Sequence, residues 1–190
     1  MRLSTSIMAD AAASAAQAAR GATPDKFASP TPCSEWEVRS LANHLLQVAT
    51  ALTFAGREGA IPPSLWQADL ISDDWAWRLD RQMHEAIEAW ADPQSWDRTV
   101  KMDTAEMPAA IAATMFTSDL VIHSWDLARA TGQDYACGDD TAEMALEFVT
   151  AMGEQGRGMG IFLEPVPVAE QAPALEKALG LSGRDPGWNP

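Results

Sequence analysis

Cysteine is nearly absent from this chain: Cys33 and Cys137 are the only two. Two thiols cannot staple a disulfide framework, which excludes the small secreted scaffolds and favours a reducing, cytoplasmic setting. Basic residues are also short, with 13 Lys and Arg against 27 Asp and Glu and a formal charge of -14. That excess of negative charge repels a phosphate backbone and an anionic bilayer alike, so neither nucleic acid nor membrane is an expected partner. Long apolar runs are missing. Nothing approaches the roughly 20 apolar residues of a membrane span. Asp10 and Gln17 interrupt the alanine-rich N-terminus, so no signal-peptide core of roughly 7–15 apolar residues remains. Repeats and low-complexity blocks are absent, and 190 residues that are 47% hydrophobic suffice for one core, giving the expectation of a single domain over 1–190.

What is present reads as helix. Residues 4–20 are alanine-rich and stop at Gly21. After a proline-rich loop, Ser34 and Glu37 form an S-x-x-E capping box that opens a second helix to about residue 56, with Val38, Leu41, Leu45, Val48 and Leu52 inward. A third helix over 73–91 buries Leu79, Met83, Ile87 and Trp90 and ends at Pro93. Residues 95–103 are a short extended connection or a lone strand. A fourth helix starts between 104 and 108, runs to 131 and is stopped by Gly132. The expected architecture is all-α: a four-helix bundle over about 4–131 with a short C-terminal helical and irregular appendage over about 139–190. In the appendage, a helix over 140–152, a glycine-rich turn over 153–160 and a short helix over 172–179 are expected.

The chemistry concentrates on the fourth helix. Asp119 and His123 stand one turn apart on the stripe carried by Ala112, Met115, Phe116, Ile122, Leu127 and Ala130. A third donor leaning in from the second helix, His44, completes a His, His, carboxylate set. Such a set leaves one position of a catalytic zinc or other divalent ion open. Spacing alone equally allows an ordinary buried Asp119–His123 pair with His44 as packing. Asp126 and Arg129 stand either as a surface ion pair or as an outer shell in which Asp126 orients the His123 imidazole. His84 reads as a boundary residue, with an extra ligand or a proton shuttle as its lesser role. Cys33 reads as a small buried hydrophobe. Trp36 and Trp125 are candidates for lining a pocket.

Three motifs carry a resemblance. Thr31-Pro32-Cys33-Ser34-Glu35-Trp36-Glu37-Val38, leading through Leu41 to His44, resembles T-P-C-x-x-W-x-V-x-x-L-x-x-H. Val121 to Gly132 resembles V-H-G-W-D-L-A-R-A-T-G, and Gly183-Arg184-Asp185-Pro186 resembles a closing G-R-D-P. Together they resemble actinobacterial proteins related to the N-terminal domain of mycothiol-dependent maleylpyruvate isomerase, within the DinB-like superfamily of up-down-down-up four-helix bundles. The resemblance implies a divalent metal, zinc first and nickel or another ion next, held by His44, Asp119 and His123. Where the isomerase has glutamate this chain has the shorter Asp119. The isomerase's separate C-terminal domain has no counterpart of sufficient length after residue 139.

Three functions follow as expectations. The first is a metal-dependent enzyme of the low-molecular-weight-thiol transferase or isomerase class, acting on a thiol of the mycothiol type and a small electrophile. The second is a non-catalytic metal-binding or structural module, with a homodimer left open. The third is a metal-assisted hydrolase with Asp126 or His84 as base.

Overall fold

The computed structural model describes residues 3–189. Four helices form the bundle: α1 (Thr5–Gly21), α2 (Val38–Arg57), α3 (Trp75–Ala91) and α4 (Ala109–Ala130). α1 and α2 each pack against both α3 and α4, so α1 sits diagonally across the bundle from α2 and α3 from α4, while the consecutive pair α2 and α3 are direct neighbours. Alanine makes this close approach feasible on α1, where Ala11, Ala12, Ala15, Ala16, Ala18 and Ala19 are all buried beside Ile7 and Met8. The Ser4 side chain caps α1 by accepting from the Ile7 amide at 3.4 Å. Trp90 is fully buried on α3, and its Nε1–H donates to the Leu52 carbonyl of α2 at 2.9 Å.

α4 is the central element. It packs against α1, α2 and a further helix, α5 (Asp139–Gly158), so most of its circumference is buried rather than one stripe. Its C-terminus closes as expected: Gly132 has φ +77, and the Gln133 amide returns to the Ala128 carbonyl at 2.8 Å. α5 packs on α4 and on α6 (Ala174–Leu181). Ile122, Trp125, Val149, Phe162 and Leu179 form a smaller core there.

Four local expectations are corrected. The Ser34–Glu37 capping box does not form: α2 begins at Val38, Glu37 is its cap residue without a side-chain hydrogen bond, and Ser34 is exposed. The reason is that the first amides of α2 are already satisfied by backbone, Val38 by Ser29 O at 3.1 Å and Arg39 by Phe27 O at 3.0 Å. The expected lone strand is part of a three-stranded sheet, β1 (Ala60–Ile61), β2 (Thr99–Met102) and β3 (Ala105–Pro108). β1 pairs parallel and β3 antiparallel with the central β2. β3 occupies the residues read as the start of α4, which begins only after Pro108. Finally, α5 continues helical through Gly153 and Gly156, where a turn was expected. Those glycines are packing sites: a Cβ on Gly156 would run into the Phe162 ring, and one on Gly153 would lie 3.3 Å from Arg157 Nη1.

Candidate metal centre

The bundle presents three donors to one point. α2 supplies His44, and α4 supplies Asp119 and His123. His44 Nε2–H donates to Asp119 Oδ2 at 2.8 Å, and His123 Nε2 lies 3.3 Å from Asp119 Oδ1. A ligand atom from each of the three lies within 4.8 Å of those of the others. The one-turn spacing read from the sequence therefore does bring Asp119 and His123 together, and His44 meets them from the neighbouring helix.

The surroundings of His123 fix its orientation. Its Nδ1–H donates to Asp126 Oδ2 at 2.9 Å, and Arg184, from the chain after α6, donates Nη2–H to the same oxygen at 3.1 Å. A further Arg184 proton, on Nη1, goes to the Ser182 carbonyl at 3.1 Å. Asp126 is fully buried and Arg184 only 5% exposed, so this is an interior ion pair rather than a surface one. Holding Nδ1–H on a carboxylate directs the Nε2 lone pair outward, the usual arrangement behind a metal-bound imidazole.

Electrostatics at the donors are strong. Burial opposes charge on the Asp119 carboxyl, but the His44 and His123 imidazoles outweigh it and hold Asp119 well below the usual carboxylate range. Burial likewise opposes charge on His123, yet Asp119 and Asp126 push its pKa up to about 9. The pocket therefore concentrates carboxylate charge around two imidazoles. A divalent cation exchanged for the Nε2 protons would meet the same three groups, so the donor set fits such an ion.

The three donors open onto a cavity of about 380 Å³. Trp36 covers the site, its ring 4.6 Å from that of His44 and 5.1 Å from that of His123. Trp66 and Phe116 stack at 6.2 Å along another wall. The turn that carries Trp36 is held by Thr31, whose hydroxyl lies within hydrogen-bond reach of the Cys33 and Trp36 carbonyls at 2.9 and 2.8 Å.

Several expectations change here. His84 stands apart from the centre: it is exposed on α3, its Nδ1–H donates to the Asp80 carbonyl at 2.8 Å, and it neither joins the donor group nor lines the cavity. The roles of extra ligand and proton shuttle are withdrawn for it. Arg129 does not pair with Asp126 but donates to the Trp188 carbonyl at 2.8 Å and to Asn189 Oδ1 at 3.0 Å. Its place in the outer shell belongs to Arg184. Trp125 packs in the smaller core, whereas Trp36 does line the cavity.

Cys33 is not merely a buried hydrophobe: it lines the cavity and lies with His123 and Asp126 within 4.8 Å. Burial pushes its thiol up to about 11. That second group is the weaker metal candidate, because Asp126 is already committed to Arg184 and to His123 Nδ1. Among the described residues no helix is long and apolar enough to cross a membrane.

Comparison with known proteins places this geometry. Two proteins of Mycobacterium tuberculosis, from two strains and both named as uncharacterized, are 32% identical over 167 residues, covering 84% of this chain and 86% of each relative. A crystal structure of a mutant of the mycothiol-dependent maleylpyruvate isomerase shares the fold, with a TM-score of 0.53 over 81% of this chain and 73% of that one at 14% identity. The sequence profile described as the mycothiol maleylpyruvate isomerase N-terminal domain matches residues 8–128, which spans α1 to α4 and all three donors. The chain thus belongs to the mycothiol maleylpyruvate isomerase N-terminal domain family.

Proposed function

We propose that this protein is a divalent-metal-dependent enzyme of the thiol transferase or isomerase class. His44, Asp119 and His123 would hold the ion, zinc before nickel. The observation that carries the reading is the convergence of two imidazoles on Asp119 at the wall of a half-open cavity, with Asp126 fixing the tautomer of one of them. A divalent ion bound there supplies a positive charge that lowers the pKa of an incoming thiol.

The chain's own residues do the rest. Trp36 stacks over the imidazoles, Asp126 and Arg184 keep His123 in register, and the apolar walls line the approach to the donors. The low-molecular-weight thiol is of the mycothiol type, by analogy with the related isomerase, and its co-substrate is a small electrophile. Soluble, cytoplasmic action fits that pairing.

The test is direct. Zinc-reconstituted protein is assayed by calorimetry for mycothiol binding and by mass spectrometry for mycothiol adducts of a panel of small electrophiles. Binding together with adduct formation is expected. Protein that holds its ion but does neither would sink the enzymatic reading.

A further inference from the structure

The cavity beside the donors has two unlike walls. Ser34, Glu35, Trp36 and Trp66 line the first, and the two tryptophans pack against the main bundle core. The Ser34 hydroxyl, the Glu35 carboxylate and the two indole N–H groups make no hydrogen bond among the described residues, and all four reach solvent. This wall offers hydrogen-bond donors, acceptors and ring faces together, which suits the polyhydroxylated body of a mycothiol-type thiol.

The second wall comes from the appendage. Phe148 and Met152 of α5, with Phe162 from the segment after it, belong to the smaller core around Ile122. Ile161 and Leu163 also line the cavity and are about half exposed, so apolar surface stands uncovered beside the donors. Between residues 148 and 163 every lining residue is apolar or glycine. Among the described residues Arg184 is the one Lys or Arg in the lining, and Asp126 already balances its charge. A carboxylate seated on this wall would lose water without gaining a counter-ion, a cost that an uncharged group avoids. A dry apolar cavity of about 150 Å³ takes one benzene, so a space of about 380 Å³ holds a single-ring molecule with room left for the head of a thiol.

We infer that the appendage wall is the electrophile subsite, taking an uncharged, apolar electrophile of about one ring, while the thiol enters along the wall of Trp36 and Trp66 and both occupy the cavity at once. The thiol's place rests on the thiol-transfer reading proposed above; the apolar seat does not. Phe148, Met152 and Phe162 lie beyond residue 128, where the family match ends, so the choice of electrophile is set outside the region that carries the donors.

NMR titration and turnover test the two halves. Methyl 4-methylbenzoate is the uncharged probe, and 4-methylbenzoate is its anionic counterpart. On metal-free protein the ester is expected to bind at least about tenfold more tightly than the acid and to shift the Phe148 and Met152 side-chain signals. Phe148→Gln with Met152→Gln, or Met152→Gln alone, should weaken ester binding, by about tenfold for the pair. On zinc-loaded protein, mycothiol should shift the Trp36 and Trp66 indole N–H signals without displacing the ester. In turnover, mycothiol attacks methyl 4-(bromomethyl)benzoate: its sulfur bonds the benzylic carbon, the carbon–bromine pair leaves as bromide and the thiol proton passes to water. The doubly substituted protein should show a raised KM for this electrophile at unchanged KM for mycothiol.

No ester binding, equal binding of the acid, full ester affinity in the doubly substituted protein, or displacement of the ester by mycothiol would overturn the inference. Absence of both mycothiol binding and transfer would instead refute the thiol-transfer reading. The ester titrations on metal-free protein would still decide the apolar seat.

Discussion

Arg184→Met removes a guanidinium that is 5% exposed and donates to a carboxylate that is fully buried. Methionine has similar bulk along the stem, so the change isolates charge and hydrogen bonding from packing. Breaking a buried pair from one side costs about 3–5 kcal/mol because the remaining charge is stranded. Asp126 keeps its bond to His123, which places the expected cost at the low end, about 3 kcal/mol. For a chain of this length that is a fall in melting temperature of about 6–12 °C. Adding Asp126→Asn removes the stranded charge, so the double variant should recover part of the loss. A thermodynamic cycle from urea unfolding should give a coupling of at least about 1 kcal/mol. The same single substitution should weaken zinc binding about 10–100-fold, since His123 loses the far end of its support. A single variant within about 0.5 kcal/mol of the parent, or additive effects in the cycle, would refute the reasoning.

Two further outcomes are expected. Gly183 has φ +87, and a Cβ there would meet the Leu163 backbone at 3.0 Å, so Gly183→Ala should cost about 1–3 kcal/mol in urea unfolding; an unchanged midpoint would mean that the segment bearing Arg184 is not held as described. Burial pushes the Cys137 thiol up to about 12, so in a Cys33→Ser background iodoacetamide labelling at pH 8 should be at least about a hundredfold slower than for free cysteine. The sign for stability follows: Cys137 contributes fully below the ordinary thiol pKa, and that contribution is lost as pH rises from there towards about 12. Labelling of native protein at the free-cysteine rate would contradict its burial.

The bundle was legible because α1 to α4 each carry a sustained helical pattern, and the donors were legible because one helical turn forces Asp119 and His123 together. The sheet was not. Its strands are two to four residues long, and β1 meets β2 across a separation of about forty residues that no local periodicity encodes. Gly153 and Gly156 look like breakers in isolation, yet both are helical, with Arg157 of the same helix beside Gly153 and the Phe162 ring against Gly156. Arg184 showed itself only as part of the Gly183–Pro186 motif. Its partnership with Asp126 spans 58 residues and depends on the appendage folding back over α4. Cys33 and the apolar wall from α5 were hidden for the same reason, since a cavity is a property of tertiary packing.

The central claim is that His44, Asp119 and His123 hold a divalent ion. Metal content of protein purified without chelator, measured for the parent and for His123→Ala with circular dichroism as the folding control, tests it most directly. The expected result is near-stoichiometric zinc, nickel or a similar ion in the parent and its loss in the folded variant. A parent that stays metal-free after reconstitution, or a variant that keeps the ion, would contradict the account.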